Sequence, residues 1–233
     1  MNRAGPLFQS KSEYVYEEIK RRVFAGVLGP GAVIGQERLA EELGVSTTPL
    51  REALKRLAVE GMVHLGSYRD ARVTDLTAEE AQSLYEIRLS VDPLAAALAA
   101  ERRTTTDTTD IEVALARLQP LSTSAEWESL VAHRNFHRAV YRASHNAPLV
   151  GILESLWDKA DRYRQASLRN HPEPVQDIER VRAEHQALAD AVAASDATEA
   201  HSVMQRHVSQ SLGRRAIDLL QPGPASPSTT KSP

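Results

Sequence analysis

Four histidines occupy positions from which one metal ion could be held. His133 and His137 stand four residues apart in the segment AHRNFHRAVYRASHN, and on a helix of 3.6 residues per turn they point the same way, one turn apart. Leu130, Val140 and Tyr141 share their face, so the pair is expected to look into an apolar interior. His185 lies within the stripe Ile178, Val181, His185, Leu188 and Val192, and His207 within Ala200, Val203, Met204, His207 and Ser211. Three helices therefore carry four imidazoles toward one interior. A single buried histidine is ordinarily satisfied by a hydrogen bond. Four together have the chemistry of a nitrogen-ligated site, because neutral imidazoles suit Zn, Ni, Cu or Fe. The chain has no cysteine, which excludes disulfides, thiolate ligands and thiol nucleophiles. His64, His145, His171 and His201 lie off the three stripes and are left out of the set.

The elements that must position these residues are helices. From Thr77 onward the apolar spacing predicts six, over roughly 77–101, 107–118, 124–144, 147–169, 175–194 and 197–220. They form a helical bundle spanning 76–220. The intervening stretches TTTDTTD, QPLSTS, NHPEP and ASDATEA supply Asp, Ser and Thr as caps. Residues 221–233, QPGPASPSTTKSP, offer little to bury and are expected to be a disordered tail. No fixed-period repeat is present.

Residues 11–75 read as a second, smaller unit, preceded by an N-terminal extension over 1–10. YVYEEIKRRVFAG is an amphipathic helix ending near Gly26, and GPG at 29–31 is a turn. A short helix then runs to Gly44, a second runs from about Ser46 to Glu60, and MVHLGSYRDARVT reads as a β-hairpin. Ser46 suits an N-cap and Pro49 a first helical turn. Leu50, Ala53, Leu54 and Leu57 form the buried stripe of that second helix, which leaves Thr47, Arg51 and Lys55 on another face. A helix-turn-helix reader needs this arrangement, with hydroxyl and basic groups aimed at base edges and phosphates. The hairpin would add a wing carrying Tyr68, Arg69 and Arg72.

The totals agree with a two-part soluble protein. At 233 residues, 42% hydrophobic and 25% charged, the chain can bury a sizeable core and is long enough for two domains. No apolar run reaches the roughly 20 residues of a membrane span, and the first residues lack a secretory signal, so the expected location is cytoplasmic. The net charge of −3 provides no general positive field, so any DNA contact must be local.

The stretch LAEELGVSTTPLREALKRLAVEGMV, with GPGAVI before it, closely resembles the winged helix of the GntR family of bacterial transcription regulators. The resemblance implies DNA contact by Arg38, Ser46, Thr48 and Arg51, with the wing around Gly66 to Arg72. Thr47 departs from the family, which usually has arginine there. An arginine can make a bidentate contact with guanine and a threonine cannot. The later segments YEIRLSVDPLAAALAA, HRNFHRAVYRASHN and EHQALADAV, with the helix of His207, resemble the all-helical FCD effector domain found in one branch of that family. In metal-binding members of that type one Asp and three His hold a divalent metal. His137, His185 and His207 match the three histidines, and His133 stands at the aspartate position. Arg88 corresponds to the family's pocket-facing arginine; it and Asn146 are assigned to the effector, while Asp92 stands where glutamate is more usual. A count of six helices would fit the branch resembling vanillate regulators.

The fold expected is thus mainly α, an N-terminal winged helix-turn-helix with a small hairpin wing followed by an all-α effector-binding bundle. The function expected is a transcription regulator, a repressor acting as a homodimer on double-stranded operator DNA, with no membrane partner. It would respond to a small carboxylate bound at a divalent transition metal, Zn or alternatively Ni. A metal-dependent hydrolase or oxygenase on the histidine-rich bundle is the competing reading, and a purely structural dimerisation module with buried, empty histidines is a third.

Overall fold

The computed structural model describes residues 10–66, 70–119, 127–170 and 174–220. The Tyr68 and Arg69 positions of the wing, the N-terminal extension before Ser10 and the expected tail lie outside the described residues. Helix α1 (Lys11–Phe24) begins at Ser10, whose hydroxyl accepts the Glu13 N–H, and buries Val15, Tyr16, Ile19, Val23 and Phe24. Strand β1 (Val33–Gly35), helices α2 (Gln36–Glu42) and α3 (Thr47–Val59), and strands β2 (Val63–Leu65) and β3 (Asp70–Val73) complete the N-terminal region. The three strands form one antiparallel sheet with β3 in the centre, Val33 facing Arg72 and Val63 facing Val73. β1 was not expected. Three residues are too few for an alternation to register, and what places them is the preceding turn: Gly31 has φ 74, and its N–H donates to Val73 O. A Cβ on Gly31 would come within 2.9 Å of an Asp75 carboxylate oxygen.

The turn between α2 and α3 rests on Gly44 at φ 65 and on the Val45 N–H, which donates to Ala40 O. Ser46 occupies the N-cap position of α3 but its side chain makes no capping bond, so the expected capping role is corrected. Leu50, Ala53, Leu54 and Leu57 are buried as the spacing predicts and pack with α1 around Ile19 and Ile34.

The bundle comprises α4 (Ala78–Arg102), α5 (Thr105–Ala116), α6 (Trp127–Ala143), α7 (Ala147–Asn170), α8 (Val175–Ala193), α9 (Ala197–Ser209) and α10 (Leu212–Leu220). Seven helices are therefore present among the described residues, not six. The stretch expected to run from 197 to 220 breaks because Gln210 leaves the helical region at φ −109, ψ 14 and the Ser211 N–H turns back to Val208 O. The six-helix count, and the vanillate-type branch that rested on it, are corrected accordingly. Capping chemistry fixes the starts of two of these helices: Thr104 and Asp107 make a reciprocal capping box at α5, and Asp196 caps α9. α4 and α9 pack against each other, and Phe136, Val140, Tyr141, Leu153, Trp157, Leu188, Val203 and Met204 fill the space between the helices. α7 also touches the N-terminal region, through Lys20 with Asp158 and through Arg162, which donates to Thr74 O.

Candidate metal centre

His133 and His137 project from α6, His185 from α8 and His207 from α9, and none is more than 5% exposed. One ring nitrogen of each lies within 4.8 Å of the corresponding nitrogens of the other three. His137 Nε2 and His185 Nε2 are 3.2 Å apart. Tetrahedral ligation with Zn–N bonds of about 2.0–2.1 Å sets neighbouring nitrogens about 3.3–3.4 Å apart, so this pair already has the separation of two ligands. The stripes expected from sequence do face inward, except that Ile178 and Val181 at the start of α8 are only half-buried. Leu130, Val140, Tyr141, Leu188 and Val192 are buried beside the histidines, as are Val203 and Met204.

Protonation also suits ligation. Burial drives the imidazoles of His133, His137 and His185 well below their ordinary value, and the neighbouring histidines and Arg164 add to the shift. His207 is lowered as well, by burial, although the adjacent Glu184 carboxylate works against it. The four rings are thus neutral at pH 7, the form in which imidazole ligates. Behind His207, the Glu184 carboxylate sits 2.9 Å from Nδ1 and is itself held by Arg180 at 2.7 Å. A carboxylate only accepts, so Nδ1 carries the proton and Nε2 is left with its lone pair. His137 Nδ1 is buried without a hydrogen-bond partner among the described residues. The donor set fits a nitrogen-preferring divalent ion.

His133 differs from the other three. Arg164 Nη1 stands 3.3 Å from its Nδ1. A guanidinium can only donate, so Nδ1 accepts and the proton of the neutral ring sits on Nε2. In this arrangement His133 is a donor toward its surroundings, and to ligate it must rearrange. Trp157 closes the cluster from α7, with its ring centroid 5.5 Å from that of His133 and 4.9 Å from that of His137.

Arg88 is buried rather than solvated, and it is already engaged. Its Nε and Nη2 donate to Asp92 Oδ2 at 3.0 and 2.6 Å, and Tyr141 donates to the same oxygen at 3.0 Å. The other Asp92 oxygen is buried and unpartnered among the described residues. Beside Arg88 lies a cavity of about 20 Å³, lined in part by Leu84, Tyr163 and Val208, which has room for roughly one water molecule. The structure does not bring Asn146 to the histidines. It stands at the start of α7, where its side-chain oxygen accepts the Leu149 N–H at 3.3 Å.

On the N-terminal region Arg38, Ser46, Thr48, Arg51, Lys55 and Arg72 are exposed and Thr47 is half-buried. Arg51 Nε donates to Gln36 Oε1 at 3.1 Å, and Arg72 Nη1 to Gly31 O at 2.6 Å. The Gly66 N–H donates to Asp70 O at 2.8 Å, and a Cβ at Gly66 would lie 3.2 Å from that oxygen. The wing turn therefore has little space for a side chain there.

Sequence reasoning missed Glu184, Trp157, Asp161 and Arg164. Glu184 had a signal, since it immediately precedes His185. Asp161 and Arg164 had none, because a charged pair at i, i+3 on a long helix reads as a solvated face.

Comparison with known proteins joins these two regions. The pattern described as "Bacterial regulatory proteins, gntR family" matches residues 11–73 and the FCD domain matches residues 83–210. The HTH-type transcriptional regulator McbR of Escherichia coli (strain K12) is 31% identical over 61% of this chain, a match that spans 65% of McbR, just under two thirds. From the same organism, the Glc operon transcriptional activator is 30% identical over 77% of this chain and 79% of its own length. The HTH-type transcriptional repressor GlaR is 26% identical over 83% and 90%. The solved structure of E. coli McbR/YncC superimposes with a TM-score of 0.73 at 25% identity, covering 91% of this chain and 97% of that one. These relatives are transcription regulators, which sets aside the reading of the bundle as a metal-dependent enzyme. Among the described residues no helix is long and apolar enough to cross a membrane.

Proposed function

The chain belongs to the GntR family of bacterial regulatory proteins, and from that premise we propose a DNA-binding transcription regulator whose bundle senses a small carboxylate at a histidine-held divalent metal. The observation that carries the sensing half is the set of four buried imidazoles converging within 4.8 Å, backed by the Glu184 carboxylate on His207. A bound divalent ion, zinc or nickel by its ligands, would supply a Lewis-acidic positive charge with a coordination position for a carboxylate oxygen. His137, His185 and His207 hold it, and His133 completes the set once Arg164 lets go of its ring. Four neutral imidazoles leave the ion's charge uncompensated by its ligands. Arg88 and Arg164 are already paired with Asp92 and Asp161, so the ion itself is the group that calls for an anion.

The cavity beside Arg88 is too small for an organic acid as it stands, so binding requires the surrounding side chains to shift. That requirement makes the effector a selector between two arrangements of the bundle. We assign the output to repression by a homodimer on a pseudo-palindromic operator, read by Arg38, Ser46, Thr47, Thr48, Arg51 and Lys55, with the wing from Gly66 to Arg72 on the flanking groove or backbone. GlaR is named a repressor and the Glc operon relative an activator, so the direction of control is tested separately, by expression from the operator with and without the regulator. The sensing half is tested by melting the protein against a panel of small carboxylates with and without added zinc. One acid that stabilises only in the presence of zinc is the expected result. Stabilisation by the same acid in chelated protein would remove the metal from the reading.

A further inference from the structure

An unbroken line of polar and charged contacts leads from the histidine cluster to the proposed reading helix. At its inner end Arg164 Nη1 is 3.3 Å from His133 Nδ1 and 2.7 Å from Asp161 Oδ1. Asp161 Oδ2 accepts from Arg134 Nε and Nη2 at 3.1 and 2.6 Å. Arg134 Nη1 reaches Asp158 Oδ1 at 2.5 Å, and Lys20 of α1 lies 2.9 Å from both Asp158 oxygens. Lys20 also reaches the Tyr16 hydroxyl at 3.3 Å, and that hydroxyl donates to Glu60 at 2.9 Å. Glu60 is the C-cap of α3, and Arg56 of α3 lies 3.6 Å over the Tyr16 ring and 3.4 Å from the Glu60 carboxylate. The path therefore crosses from α6 and α7 through α1 to α3.

Two properties separate this line from ordinary surface ion pairs. The side chains of Arg164 and Asp161 are each 4% exposed, and those of Lys20, Asp158 and Arg134 are 10%, 14% and 17%, so solvent screens them little and a broken link leaves a charge poorly compensated. On the metal-responsive reading, its inner end also has two discrete states. While Nδ1 accepts from Arg164, the ring proton occupies Nε2. When Nε2 is needed as a ligand, the proton must leave it and the Arg164 contact must go.

We infer that this line couples the histidine site to DNA reading: Arg164 and Asp161 register which role His133 takes, and Arg134, Asp158 and Lys20 transmit it to α1 and thence to α3. The inference rests on the metal-responsive reading proposed above. Continuity of contact alone does not measure coupling; a change in DNA affinity on loading does.

The test uses the full chain, zinc as the only added ligand, and a DNA duplex selected from random sequence by the wild-type protein. Zinc affinity and DNA affinity, the latter with and without zinc, are measured for wild type, Asp158→Asn and Lys20→Met. Wild type is expected to change DNA affinity by about five-fold or more on loading, the lower end of ordinary coupling between sites. Either variant should keep its zinc affinity and its zinc-free DNA affinity, while its response to zinc falls to less than about two-fold. Amide exchange in α1 and α3 should slow or quicken on loading in wild type and stay unchanged in the variants. Should Asp158→Asn fail to fold, Lys20→Met cuts the same link from the α1 side and decides the matter. A full zinc response in the folded variants overturns the coupling line and leaves the metal-responsive reading standing. Equal loss of DNA affinity with and without zinc makes these residues a scaffold and likewise overturns the line. No zinc response in wild type overturns both.

Discussion

Arg38, Thr48, Arg51, Lys55 and Arg72 stand in solvent on the N-terminal region, whereas His133, His137, His185 and His207 are closed inside the bundle at 5% exposure or less. The helices presenting both groups are built the same way, on an apolar stripe that fixes which residues face elsewhere. In α3 the candidate functional residues occupy the face left over after Leu50, Ala53, Leu54 and Leu57 are buried. In α6, α8 and α9 they occupy the buried stripe itself. The difference teaches that the proposed reading face can be altered with little effect on the fold, while the histidine cluster is part of the core and every change there is also a change in stability.

The largest test of that contrast is metal removal. If the histidines hold zinc, stripping it should lower stability by about 4 kcal/mol relative to protein held at a thousand times the dissociation constant, read as a fall in melting temperature. His137→Leu should abolish this response. Its metal-free form should melt at or above metal-free wild type, because an apolar side chain replaces a buried ring whose Nδ1 has no partner. A preserved zinc response in the variant would remove His137 from the ligand set. Burial also sets a pH dependence. The imidazole values of metal-free protein lie below the ordinary 6.5, so between those values and 6.5 the unfolded chain binds more protons than the folded one. Stability is full above pH 6.5 and is lost as pH falls toward the depressed values. Melting of metal-free protein from pH 7.5 down to 5.5 should show a steeper decline in wild type than in His137→Leu. Parallel declines would contradict the assignment.

The second test addresses the exposed side. Arg51→Ala should weaken operator binding by about 1–3 kcal/mol and leave both the melting temperature and the zinc response as they are. A titration at fixed salt measures the first and a melting curve the second. A shift in melting temperature as large as the loss in affinity would show that the Arg51 contact with Gln36 is structural, and the contrast between the regions would fail at that residue.

The contrast also explains what was legible in the sequence. Periodic apolar spacing carried the helices because a long stripe repeats its own evidence, and it carried the four histidines because a polar residue inside such a stripe is conspicuous. β1 left no signal, since three residues of extended chain are set by the Gly31 turn and by pairing with β3. The break between α9 and α10 left none either, because the apolar spacing continues through Ser211 while the backbone at Gln210 does not. Asn146 was legible as a polar residue and not as a cap, which only the start of α7 reveals. Asp161 and Arg164 were invisible for a tertiary reason: packing of α6 on α7 buries charges that a helix by itself would leave in water.

A third and smaller test sharpens the sensing side. Glu184→Gln keeps the shape beside His207 but replaces the carboxylate that holds Nδ1–H. Loss of such a partner to a ligating histidine typically costs 10–100-fold in metal affinity, so zinc binding measured by competition with a chromogenic chelator should weaken by about that factor. Glu184 also holds Arg180, and Arg180→Gln should have less effect because it acts on the carboxylate and not on the imidazole. Equal losses in the two variants would mean that the helix ends, and not the His207 tautomer, respond to the change.

The smallest effect belongs to His133, and it separates the four histidines from one another. None of the other three has a guanidinium on a ring nitrogen, whereas His133 must give up the Arg164 contact and move a proton from Nε2. Those two costs offset much of what a fourth nitrogen contributes. His133→Ala should therefore lower zinc affinity by a smaller factor than alanine at His137, His185 or His207, measured side by side in the same competition assay. His133→Asp should recover affinity, since a carboxylate has no proton to lose at neutral pH, but part of its charge will be taken by Arg164, which in wild type faces the ring at 3.3 Å. Its harder oxygen should also raise affinity for manganese relative to zinc. If alanine at His133 costs as much as alanine at the other three positions, the Arg164 contact is no barrier to ligation, and the two-state role given to this ring would have to be abandoned.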